Sequence, residues 1–148
     1  MDPNDGRTSA SSREELLSQV LHLSQLTVDA AGGGVWTWED GTAWQGPSDR
    51  AGFIGASCGD ESYQYTVHIL GPAEPDPGAA AARVAEVWQR QGWRVRTVFS
   101  SPRPDVGIEI AVEFAAGGGV GYTVTNEISG IDAQSACSKD PGMLTPSK

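Results

Sequence analysis

The 148-residue chain predicts an α+β domain, a single antiparallel sheet with two helices packed on one face and one disulfide. Three observations predict it. Residues 13–30 and 78–91 each carry helix punctuation and an apolar stripe. The segments between and after them alternate apolar and polar residues with a period of two. Two cysteines, Cys58 and Cys137, stand 79 positions apart near expected strand ends.

Residues 1–11 are small, polar and aperiodic, which reads as a disordered arm. The domain proper is expected at 12–137. Ser12-Arg13-Glu14-Glu15 fits a capping box, and Leu16, Val20 and Leu23 then share one helix face. The run Gly32-Gly33-Gly34 stops that helix. Val35–Glu39 alternates, Asp40-Gly41 is a hairpin signal, and Thr42–Trp44 is a short return strand. Gln45 to Gly59 reads as a loop because of its breakers, with Cys58 at its end. Tyr63, Tyr65, Val67 and Ile69 share a strand face. Asp76 caps the second helix with Pro77 at its first position, and Gly92 with Trp93 closes it. Strands follow at Trp93–Phe99, Ile108–Phe114, Val120–Val124 and Ile128–Ser135. A strand–helix–strand unit is expected over 62–99. Residues 138–148 read as a flexible tail.

The formal charge is −9 and the pI about 4.5, which excludes nucleic acid and anionic lipid as default partners. No stretch is long and apolar enough to span a membrane, and Met1–Ser12 is too polar for a signal peptide. Both lysines, Lys139 and Lys148, lie in the tail. Arg83, Arg90, Arg94 and Arg96 cluster in sequence, either as a solvated face or as a patch for an anion or acidic partner.

Catalytic and metal signatures are missing from the pattern. A nucleophilic Cys58 would need a histidine base. His22 lies on a helix and His68 on the outward parity of a strand. Two cysteines and two histidines stand at no metal-binding spacing. Gly117-Gly118-Gly119-Val120-Gly121 fails the dinucleotide pattern and joins two strands. Glu39-Asp40, Asp60-Glu61 and the Glu109/Glu113 pair read as solvated charge rather than a facing carboxylate pair. No cofactor is expected. A Cys58–Cys137 bridge would place the protein in an oxidising compartment, and two free thiols would place it in the cytoplasm. Trp36, Trp38 and Trp44 share one parity. They are either core beneath the first helix or an exposed platform for stacking a ligand.

The segments Asp29-Ala30-Ala31-Gly32-Gly33-Gly34-Val35-Trp36, Cys58 before Tyr63–Ile69, Trp88-Gln89-Arg90-Gln91-Gly92-Trp93 and Ser135-Ala136-Cys137 together resemble the mature domains of small secreted actinobacterial lipoproteins of unknown function. The resemblance covers about residues 13–137. It implies a non-enzymatic extracytoplasmic cell-envelope domain that binds a protein or cell-wall ligand, with any lipid anchor on an N-terminal leader absent from these residues. An alternative is a small acidic inhibitor or immunity-type protein that meets a basic partner. A dense acidic face would favour the alternative, and an exposed aromatic patch would favour ligand binding.

Overall fold

The computed structural model describes residues 8–9 and 12–144. In chain order the elements are β1 (Thr8–Ser9), α1 (Arg13–Ala30), β2 (Thr37–Trp38), β3 (Ile54–Gly59), β4 (Ser62–Gly71), α2 (Pro77–Arg90), β5 (Arg96–Ser100), β6 (Ile108–Glu113), β7 (Gly119–Val124), β8 (Ser129–Gln134) and β9 (Cys137–Ser138), followed by a 3-10 turn at Pro141–Leu144.

Helix α1 begins where its cap dictates. The Ser12 N–H donates to Glu15 Oε1 at 2.8 Å, and the Glu15 N–H donates to Ser12 Oγ at 3.3 Å. Helix α2 begins with the Ala79 N–H donating to Asp76 Oδ1 at 3.1 Å. It ends as expected, with Gly92 at φ +88° and the Trp93 N–H returning to the Trp88 carbonyl. The two helices meet through the Trp88 indole N–H, which donates to Thr27 Oγ1 at 3.1 Å.

The strands form one sheet, in which β5, β6, β7, β8 and β4 lie side by side and antiparallel. The far edge of β4 takes β2 and β3 end to end. Its near edge takes β8, and then β9 at Tyr63↔Ser138. Strand β1 pairs β9 in parallel, against the antiparallel rule of the rest. Both helices pack on one face, α1 over β4 and β8, α2 over β6 and β7. Every second residue of these strands points at them: Tyr65, Val67 and Ile69; Ile131 and Ala133; Val120, Tyr122 and Val124; Ile110 and Val112. With Leu16, Leu17, Val20, Leu21, Val84 and Trp88 from the helices they make a single core.

The structure corrects two expectations. Residues 54–59, expected within a loop, form β3. Its sequence Ile-Gly-Ala-Ser-Cys-Gly has no alternation, and the unpaired edge of β4 recruits it. The Asp40-Gly41 hairpin closes through Trp38 N–H to Thr42 O and Trp44 N–H to Trp36 O, but it contributes only two residues to the sheet. The 62–99 strand–helix–strand unit is present: β4, α2 and β5 follow in order, and the successive antiparallel pairings through β8, β7 and β6 leave β4 and β5 parallel in the same sheet, with those three strands between them. Thr8–Ser9 pairs with β9 as β1, and Ser138 and Met143 are buried. The remainder of the arm and residues 145–148 lie outside the described residues.

Candidate functional site: the uncovered face of the sheet

The helices leave one face of the sheet open. Strand register assigns its residues to three rows. The first runs Arg96, Ala111, Gly121, Asp132, His68 from β5 to β4. The second runs Glu113, Gly119, Gln134, Thr66 and reaches Ile54 on β3. The third runs Phe99, Glu109, Thr123, Gly130, Leu70. Small residues at the centre and longer ones at the flanks hollow this face into a groove of about 450 Å³. Its floor is Ala111, Gly119 and Gly121, and its flanks include Val98, Arg96, Gln64 and Gln134.

The three glycines differ in what holds them there. A Cβ on Gly119 would meet the Val112 carbonyl oxygen at 2.3 Å, so the backbone approach requires glycine. A Cβ on Gly121 would find nothing nearer than Glu109 Oε2 at 3.6 Å, and one on Gly130 nothing nearer than Leu70 Cδ2 at 3.8 Å. Packing tolerates a side chain at both positions.

The groove and its surroundings are acidic. Glu109, Glu113 and Asp132 line it, and Glu39 stands beyond His68. Arg96 Nη2 lies 3.0 Å from Glu113 Oε1. His68 is held between carboxylates, with Nδ1 2.5 Å from Asp132 Oδ1 and Nε2 3.9 Å from Glu39 Oε1. Both ring nitrogens therefore face carboxylates rather than a hydroxyl or thiol that they could activate. Beside them, Trp38, Glu39, Gly52, Ile54 and His68 line a second hollow of about 180 Å³. Asp60 and Glu61 stand apart, on the exposed β3–β4 turn.

The bridge between Cys58 and Cys137 is present, with Cα atoms 6.3 Å apart. It joins β3 to β9, the two strands that flank the start of β4, where Tyr63 pairs Ser57 on one side and Ser138 on the other. Cys137 Sγ lies 3.7 Å from Gln64 Oε1, at the groove's flank.

The tryptophans do not form a platform. Trp36 and Trp38 are 2% and 3% exposed and Trp44 is half-buried, because they lie on the helix side of the hairpin. Each indole N–H is used inside the fold: Trp36 donates to Gly33 O, Trp38 to Asp49 Oδ2 and Trp44 to Gln25 Oε1. Two rings sit flat on glycines. A Cβ on Gly71 would fall 2.4 Å from the Trp36 ring, and one on Gly52 2.5 Å from the Trp38 ring. The four arginines do not make one patch either. Arg83 binds Glu74 and the Ala31 carbonyl, and Arg90 pairs Glu86 along α2. Arg94 follows α2 exposed, while Arg96 belongs to the open face.

Among the described residues these features define a two-layer α+β domain with one sheet face covered by helices and one bare. No protein-family model matches the chain, and no curated protein matches it. Among solved structures it resembles a DUF4853 family protein from Actinomyces odontolyticus ATCC 17982, with a TM-score of 0.58 and 18% identity, covering 94% of this chain and 79% of that one. At that identity the likeness shows the fold alone. It connects the fold with a domain of unknown function from an actinobacterium.

Proposed function

We propose that this is a non-enzymatic extracytoplasmic domain of the cell envelope that holds a basic protein partner against its uncovered sheet face. The observation that carries the reading is that face itself: a groove with a floor of glycine and alanine, bordered by Glu109, Glu113 and Asp132. Burial of the tryptophans removes the main support for a stacked ligand, and the acidity of the groove favours a cationic partner. The disulfide supports an oxidising compartment. Among the described residues no helix is long and apolar enough to cross a membrane. The actinobacterial look of the sequence supports attachment through a leader upstream.

Titration of the ¹⁵N-labelled protein with a blocked decalysine peptide tests this, with decaglutamate as control. Decalysine is expected to shift the amides of Ala111, Gly119, Gly121 and Gly130. Gly121→Leu, which fills the groove, is expected to abolish those shifts while the fold persists. Shifts confined to the helices, or none at millimolar peptide, would remove the reading.

A further inference from the structure

The free edge of β5 offers a way for such a partner to bind, and this inference rests on the reading of the uncovered face given above. Among the described residues, strand β5 ends the sheet and pairs only with β6. All five of its residues are exposed, since α2 packs over β6 and β7. An unpaired edge is a template for another strand unless something guards it. The usual guard is a charged side chain projecting from the edge. Here the Arg96 guanidinium is turned across to Glu113 on β6.

The bulge in β5 would also guard an edge, but in this chain it shapes a contact surface. Val98 is the extra residue between the pairs Thr97↔Ile110 and Phe99↔Glu109. Val98 lines the groove, and Phe99 shares the outer row with Glu109, so both stand on the open face. They are 42% and 39% exposed. A strand added to β5 would lie about 4.8 Å away. Its alternate side chains would fall beside this apolar pair. Those long enough to cross β5 would reach Glu109 and Glu113.

We infer that β5 accepts an extended segment of another protein by strand addition, in which every second residue faces the open side and those open-side positions carry both apolar residues and lysine or arginine. Charge selects this occupant over a second copy of the chain. Each copy carries a net charge of −9, and pairing two β5 edges would bring two acidic grooves together.

The probe is a blocked decapeptide with threonine at odd positions and valine and lysine in turn at even positions, so that one face of the added strand carries both. A version N-methylated on alternate residues keeps the charge but cannot pair as a strand. The first is expected to slow hydrogen exchange at the β5 amides, and the second to bind roughly tenfold more weakly or worse. Phe99→Lys, which places a charge at the exposed edge, is expected to weaken the first peptide by a similar factor. Equal binding of both peptides with β5 unprotected would overturn strand addition and leave the uncovered-face reading standing. No binding of either would remove both. A peptide-free dimer in sedimentation that protects β5 would replace the foreign segment with a second copy.

Discussion

Asp49 shows how one side chain orders a segment that has almost no regular structure. Its Oδ2 accepts from the Trp38 indole N–H and the Gln45 N–H, and its Oδ1 from the Ala51 N–H, each at 2.9 Å. Burial alone would raise its pKa. The donors from Ala51, Trp38 and Gln45 outweigh burial and hold the carboxyl below the ordinary aspartate range. A carboxyl whose pKa is depressed in the folded state stabilises fully above its unfolded value, about 3.9, and that contribution is lost as pH falls through the folded value. Asp49→Asn is therefore expected to cost about 2 kcal/mol at pH 7, with a smaller difference from the parent in strong acid. Urea unfolding at pH 7 and pH 2 checks it, and a pH-independent difference would show that the charge is not involved. None of this was legible in the sequence, where Asp49 is one polar residue among turn formers. Gly52 and Gly71 were equally opaque. A glycine that breaks a pattern and a glycine that seats an indole ring look the same until the ring is placed.

Elements were legible where local chemistry decides them. Helix α1 occupies the expected residues because its capping box and glycine run are both encoded within the segment. Strand β4 was equally plain, since only one parity of Tyr63–Ile69 is strongly apolar. Strand β3 was not, because its pairing depends on a partner rather than on its own residues. The turn joining β3 to β4 shows a further cost. Asp60 and Glu61 stand at φ +49° and +58°, the left-handed region where residues with a Cβ are disfavoured. Two-residue hairpin loops of this kind favour Asn-Gly. The double change Asp60→Asn, Glu61→Gly is expected to stabilise the protein by about 1 kcal/mol, since left-handed backbone costs roughly 1–2 kcal/mol per residue with a side chain. A thermal melt would show it, and an unchanged or lower midpoint would mean that the turn holds no such strain.

For the whole molecule, the outward parity of β6 was readable from Glu109, Ala111 and Glu113, but the groove was not. Its wall and floor come from different strands, and their order follows from sheet topology, which no local pattern states. The disulfide belongs to this scale as well, because it closes a loop over most of the fold. Reducing it is expected to cost about 2–4 kcal/mol, and a chain-entropy estimate for a loop of this size is somewhat higher, near 4–5 kcal/mol. Urea unfolding with and without a phosphine reductant measures the loss, and no change would mean that noncovalent pairing alone holds β3 and β9. The same bridge also decides how the domain carries mechanical load. Tension applied between the two ends of the chain passes from Cys58 to Cys137 through the sulfur–sulfur bond, a shortcut between positions 79 apart in sequence. Residues 59–136 lie within the closed loop, off the line of force. They include α2 and strands β4 to β8, and with them the groove floor and the β5 edge. Pulling the oxidised protein can strip α1 and the tryptophan hairpin from the fold, but the bridge keeps the main chain of the groove floor out of the stretched path.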